Sequence, residues 1–145
     1  IVPGDLVRPM QKMVQNFFIS ANSIAQASGC VALTDESVKN DVRKMCETYD
    51  ARRRFMIKRL REIGFGITVE PTGAFYVFAN AGRFTQDSYA FAFEILENAK
   101  VGITPGISFG ANGEGYIRFS YANSLENIEE GLRRIEEYLQ TRPKM

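Results

Sequence analysis

Seven apolar side chains, Val38, Val42, Met45, Tyr49, Met56, Leu60 and Ile63, follow one another at steps of four, three, four, seven, four and three residues. Such steps return to one face of an α-helix, which turns once in about 3.6 residues. A strand would scatter the same side chains over both of its faces. A single long helix is therefore dictated, opened by Thr34 or Asp35 and stopped by Gly64 and Gly66. Its greasy stripe cannot stay in water, so another layer has to cover it.

The rest of the chain supplies the candidates. Upstream, Pro3 and Gly4 make a turn, and Asp5 can cap a helix with Leu6, Met10, Met13, Val14 and Phe17 on one face. The small polar stretch "ISANS" breaks that helix. A second helical segment starts near Ser23 and carries Ile24, Ala27 and Val31. Downstream, "ITVE" (67–70), "AFYVFA" (74–79), "VGIT" (101–104) and "YIRFSY" (116–121) read as short strands, rich in β-branched and aromatic residues. The Pro71-Thr72-Gly73 turn makes its flanking strands an antiparallel pair. "FTQDSYAFAFEILENAK" reads as a helix capped near Thr85 or Asp87, with Ala92, Ile95, Leu96 and Ala99 inward. A last helix is capped by Asn123 with Glu126 as its capping-box partner, and buries Leu125, Ile128, Leu132, Ile135 and Leu139. The expected fold is α/β (α+β): a small, mostly antiparallel sheet of three to four strands with helices packed mainly on one face.

Composition narrows the chemistry. At 145 residues the chain fits one domain. A net charge of +1 creates no field that would select nucleic acid or an anionic membrane. No apolar run approaches the length of a membrane span. Cys30 and Cys46 lack metal-finger spacing and read as reduced core thiols. Histidine is absent, which excludes imidazole metal sites and Ser-His or Cys-His nucleophile pairs. The glycine-rich "GFGITV" and "GANGEG" lack the remaining residues of nucleotide-binding loops and read as turns. The basic run "ARRRFMIKRLR" keeps helical spacing at its apolar positions, so its arginines read as a wet helix face.

One residue resists this bland account. Alternation puts Ile117, Phe119 and Tyr121 on the core face of their strand and Tyr116, Arg118 and Ser120 on the other. A guanidinium stays charged and is costly to bury unpaired. Arg118 either faces water or pairs with Glu114 or a helix acid, or it receives an anion, a carboxylate or phosphate held by its planar fork. The neighbouring "TPGISFGANGEG" loop could close over such an anion.

Three segments together settle a resemblance. They are "EPTGAFYVFAN", "SYAFAFEILENAKVGITPGISFGANGEGYIRFSYANSLENIEEGLRRI" and "LVRPMQKMVQNFFISANSIAQAS". They resemble the C-terminal part of class I/II, fold-type I pyridoxal-phosphate aminotransferases, the aspartate aminotransferase family. The likeness spans essentially the whole chain, and its motifs are specific as an ordered set. It implies one domain over residues 1–145, in which residues 1–34 are a connecting helical segment and residues 35–145 the small-domain α/β sandwich. The large cofactor-binding domain is then absent, in keeping with a chain that starts at Ile1.

The resemblance also assigns roles. Arg118 matches the arginine that binds the substrate α-carboxylate. Gly73 and Phe75 match a structural strand, and the turn around Ser20 and Asn22 a loop near the active site and dimer boundary. The family's Schiff-base lysine lies upstream; Lys12, Lys39, Lys44, Lys58, Lys100 and Lys144 do not stand in its motif. The implied parent is a cytoplasmic, homodimeric enzyme of amino acid metabolism that uses pyridoxal 5′-phosphate to move an amino group between an amino acid and a 2-oxo acid. This chain would hold neither catalytic residue nor cofactor nor metal, and its partners would be those substrates and the large domain, with no nucleic acid or membrane. The alternative is a free-standing amino-acid-binding or regulatory module; a nucleic-acid binder using the Arg52–Arg61 face comes third.

Overall fold

A computed structural model of the chain describes residues 1–142; Lys144 lies outside the described residues. The chain divides into two compact units, Ile1–Met45 and Cys46–Met145. The division falls inside the long helix that the apolar stripe dictates.

The first unit is helical. Helix α1 spans Gly4–Phe17 and α2 spans Ser23–Thr34. Asp5 sits in the first turn of α1, where it complements the helix dipole, but Pro3 occupies the cap position. The "ISANS" break ends in a genuine cap: Asn22 Oδ1 accepts from the amides of Ile24 at 2.9 Å and Ala25 at 3.2 Å. Helix α3, Glu36–Ile63, opens where Asp35 Oδ1 accepts from the Ser37 amide at 2.8 Å. No residue of this unit is buried, so Leu6, Met10 and Val42 all present apolar surface.

The second unit holds the core. Strands β1 (Tyr76–Asn80), β2 (Thr104–Pro105) and β3 (Tyr116–Ser120) form one antiparallel sheet in the order β1-β3-β2. Val77 and Ala79 of β1 and Ile117 and Phe119 of β3 point to the buried side. Against them pack Met56, Ile57 and Leu60 of α3, Phe91 and Ile95 of α4 (Ser88–Ala99), and Ile128, Leu132 and Ile135 of α5 (Leu125–Thr141). Each such large side chain contributes about 1.5–3 kcal/mol when fully buried. The expected architecture, a small antiparallel sheet with helices on one face, is the observed one.

Several local expectations need correction. "ITVE" is not a strand: Gly66 alone bridges Asn80, and the chain then runs toward Pro71 with Val69 exposed. No buried face holds a longer pairing there. "VGIT" pairs only from Thr104 onward. The inward stripe of α4 is Phe91, Ala92, Ile95 and Ala99; Leu96 lies beside Ile95 on the wet side. Ser124, not Asn123, caps α5, its Oγ accepting from the Asn127 amide at 3.2 Å. The Asn123 side chain instead accepts from the Ser124 amide and the Asn127 side chain. Leu125 of the α5 stripe is exposed. Both cysteines are free, as expected, but exposed rather than in the core: Cys30 lies on α2, which buries nothing, and Cys46 lies off the α3 stripe.

The basic run on α3 is answered by acids. Arg53 pairs with Asp50 at 2.7 Å, Arg61 with Glu70 at 2.8 Å, and Arg59 with Glu62 at 2.6 Å and with Glu136 of α5 at 2.7 Å. It is a paired surface more than a free cationic footprint. Among the described residues no helix is long and apolar enough to cross a membrane, and no acid, cysteine or histidine cluster could hold a metal.

The glycine-rich stretch folds as two short 3-10 turns, Gly106–Phe109 and Ala111–Gly113. They meet backbone to backbone. A Cβ on Gly106 would lie 2.0 Å from the Gly113 carbonyl oxygen and 2.5 Å from that of Tyr116. Gly106→Ala should therefore destabilise the unit by about 1–3 kcal/mol, the ordinary range for overpacking. Gly102→Ala, with nothing within 4 Å of the added carbon, should stay within about 0.5 kcal/mol of the parent. Chemical denaturation of the two variants checks this, and equal midpoints would contradict the close crossing.

Candidate functional site

The sheet has one covered face and one open face, and Arg118 lies at the centre of the open one. It belongs to β3, the middle strand, opposite Phe78 of β1 and Thr104 of β2. Neighbouring residues in the same strand, Ile117 and Phe119, are 0% and 4% exposed, so the backbone under the arginine is anchored from below. Arg118 itself is half-buried. Its Nη2 donates to Thr104 Oγ1 at 3.3 Å. Its Cζ lies over the Tyr76 ring at 4.2 Å and the Phe109 ring at 4.9 Å from the centroids.

No carboxylate among the described residues lies within ion-pairing reach of Arg118. The obvious partner, Glu114, is spoken for. Its Oε1 accepts from the Ser88 amide at 2.6 Å and the Gly115 amide at 2.8 Å. Those two amides, the Ser88 one first, hold the Glu114 carboxyl below its ordinary value. Ser88 Oγ in turn accepts from the Ile107 amide at 3.2 Å. The loop that carries Phe109 is thus tied to the first turn of α4. Of the readings left open by alternation, the salt bridge is removed; a water-facing arginine and an anion receptor remain.

Other residues singled out in the sequence have different positions. Phe75 lies against Tyr76, ring centroids 4.4 Å apart, and against Tyr49 of α3 at 6.3 Å. Gly73 is exposed, with Ala74 following at a φ of 58°. Tyr121 fixes this segment: its hydroxyl donates to the Ala74 carbonyl at 3.1 Å and its amide to that of Phe75 at 2.9 Å. Burial pushes the Tyr121 phenol up. Asn22 is occupied in capping α2, and the Ser20 amide donates to the Phe18 carbonyl. A cleft of about 220 Å³ lies on the helix-packed side of the sheet, lined by Met56, Val101, Phe119, Asn127 and Leu132 among others. It contains no titratable group and is not on the arginine's side.

Tyr76, Thr104 and Phe109 were not singled out from sequence, and Glu114 was named only as a salt-bridge partner for Arg118. The first two follow once β1 and β2 are set in register against β3, because they then share its open face. Phe109 and Glu114 depend on how a glycine-rich loop folds, which spacing does not reveal.

The described residues do not fit a pyridine-aldehyde cofactor. Holding one covalently needs an amine kept neutral by a dry pocket. Lys12, Lys39, Lys44, Lys58 and Lys100 are all exposed.

Glu114 makes a pH test possible. Its folded-state pKa lies below the ordinary 4.5, so its contribution is present above that value and fades as pH falls through the lowered one. Glu114→Gln should therefore lower the thermal midpoint at neutral pH, and the gap to the parent should close as the medium is acidified below the carboxylate range. A gap independent of pH would mean that charge is not what fastens the loop.

Comparison with known proteins places this geometry. The family model described as aminotransferase class I and II matches residues 2–135. The (5-formylfuran-3-yl)methyl phosphate transaminase of Methanocaldococcus jannaschii is 42% identical over 135 residues, which cover 93% of this chain and 35% of that protein. An aspartate aminotransferase of Pyrococcus horikoshii is 38% identical over 141 residues, covering 97% of this chain and 36% of the relative. The crystal structure of an aromatic aminotransferase from the same organism superposes with a TM-score of 0.91 at 36% identity, over 97% of this chain and 37% of that one. The chain thus spans about a third of the length of the relatives it matches.

Proposed function

We propose a role for this chain from one premise: it belongs to the aminotransferase class I and II family. It is read as the C-terminal, small-domain part of a pyridoxal-phosphate-dependent aminotransferase, in which Arg118 binds the α-carboxylate of the substrate. The observation that carries the reading is the half-buried Arg118, held at the middle of a sheet with no acid among the described residues to neutralise it.

The chemistry supports that choice of ligand. An amino acid and a 2-oxo acid differ at the reacting carbon and share the carboxylate beside it. A receptor for that carboxylate serves both halves of an amino-group transfer, whatever the side chain. A planar fork makes two parallel charge-assisted hydrogen bonds and so fixes orientation as well as position. Mounting it on the central strand, between two paired neighbours and above a packed core, limits how far it can drift. The cofactor and the groups that move protons belong, in this reading, to residues outside this chain. The parent is read as a cytoplasmic homodimer acting on an amino-acid donor and a 2-oxo-acid acceptor.

Arg118→Lys in the intact parent enzyme tests the assignment, since an ammonium keeps the charge and loses the fork. KM for amino acid and 2-oxo acid should both rise, with kcat/KM falling roughly tenfold to a hundredfold, the worth of a hydrogen bond to a charged group. An amine analogue lacking the carboxylate should lose little. An unchanged KM and kcat/KM for the amino acid would remove Arg118 from this role.

A further inference from the structure

The arginine does not stand alone on its face of the sheet. Tyr76 lies under its guanidinium at 4.2 Å, Phe109 lies at 4.9 Å, and Thr104 takes one N–H at 3.3 Å. Each aromatic partner has its own support. Phe75 packs on Tyr76 with centroids 4.4 Å apart. Phe78 meets the Phe109 ring at 90° and 5.9 Å, and stacks on Tyr116 at 5.0 Å with an interplanar angle of 5°. A row of rings crosses the open face around a single cation.

That arrangement has a consequence for the fork. A free arginine samples many rotamers, and a ligand that binds it has to arrest them. Rings packed against the guanidinium attract it through their quadrupoles. The Thr104 hydroxyl takes a hydrogen on one end. The N–H groups that Thr104 does not take are the ones left to meet a carboxylate.

We infer that Tyr76, assisted by Thr104, is a positioning residue that holds the Arg118 fork aimed before the substrate arrives. The inference rests on the carboxylate role given to Arg118 above. Tyr76 acts through its ring, which makes the 4.2 Å contact; its hydroxyl is not what holds the arginine. Tyr76 sits on β1 beside the strand that carries Arg118, paired with Ser120, so the two side chains meet diagonally across the ladder.

The test compares Tyr76→Ala and Tyr76→Phe in the intact parent enzyme, each with Arg118 present and with Arg118→Ala. Tyr76→Ala should raise KM for the amino acid roughly threefold to thirtyfold, the worth of a cation–π contact, with a smaller change in kcat. Tyr76→Phe should keep the parental KM, because the ring is retained. With Arg118→Ala already present, Tyr76→Ala should cost nothing more in kcat/KM.

A parental KM for Tyr76→Ala overturns the inference, as does a loss in Tyr76→Phe equal to that in Tyr76→Ala. So does an equal loss from Tyr76→Ala with and without Arg118, which would mean that the tyrosine acts by itself. The two readings fail differently. If Arg118→Ala alone is harmless, the carboxylate role fails and the positioning role falls with it. If Arg118→Ala is costly and Tyr76→Ala harmless, only the positioning role is lost. Should Tyr76→Ala not fold, Thr104→Val gives the same readout: a KM rise that vanishes when Arg118 is absent supports the inference, and a parental KM overturns it.

Discussion

The central strand is the constraint on which the rest depends. β3 is hydrogen-bonded on both sides, to β1 and to β2, and its lower face is sealed by Ile117 and Phe119. A residue in the middle of such a strand cannot slide or turn over without breaking two ladders and opening the core. A one-residue slip would drive Arg118 into the apolar layer formed with Leu60, Ile95 and Leu132, where an unpaired charge is costly. The register that buries Ile117 and Phe119 is therefore the register that exposes the guanidinium. Burial on one face and presentation of the cation on the other are a single requirement.

The glycine-rich loop completes the open face by a different device. Gly106 and Gly113 cross with no room for a side chain, and Glu114 fastens the loop to the first turn of α4 through the Ser88 and Gly115 amides. This places Phe109 near the arginine. It also occupies the acid nearest in sequence, which leaves the fork without a carboxylate partner among the described residues. A carboxylate held by two backbone amides fastens the loop and is not available to pair with Arg118.

Much of this was legible in the sequence, and for identifiable reasons. The helix α3, the alternation in β1 and β3 and a cap at Asp87, one of the two residues expected there, are local patterns with fixed periods; of the α3 stripe the structure buries Met56 and Leu60 and leaves Val42 and Met45 exposed. Arg118 stood out because a fixed charge interrupts an apolar alternation. The errors share a physical origin. "ITVE" has strand composition but lacks a partner beyond Gly66, and Leu96 is as greasy as Phe91 but lies on the side of α4 that the sheet does not cover. Such outcomes are decided by tertiary contacts, as are the exposed cysteines. The cradle of Tyr76, Thr104 and Phe109 depends on register and on loop folding, which a single sequence does not display.

The central claim is that Arg118 grips a substrate carboxylate by its fork. A crystal structure of the intact parent enzyme with a bound 2-oxo acid tests it most directly. Both carboxylate oxygens should lie within about 2.7–3.2 Å of two guanidinium nitrogens of Arg118, with the guanidinium still over the Tyr76 ring. A carboxylate held elsewhere, with Arg118 turned to an acid of the parent chain, would contradict the account.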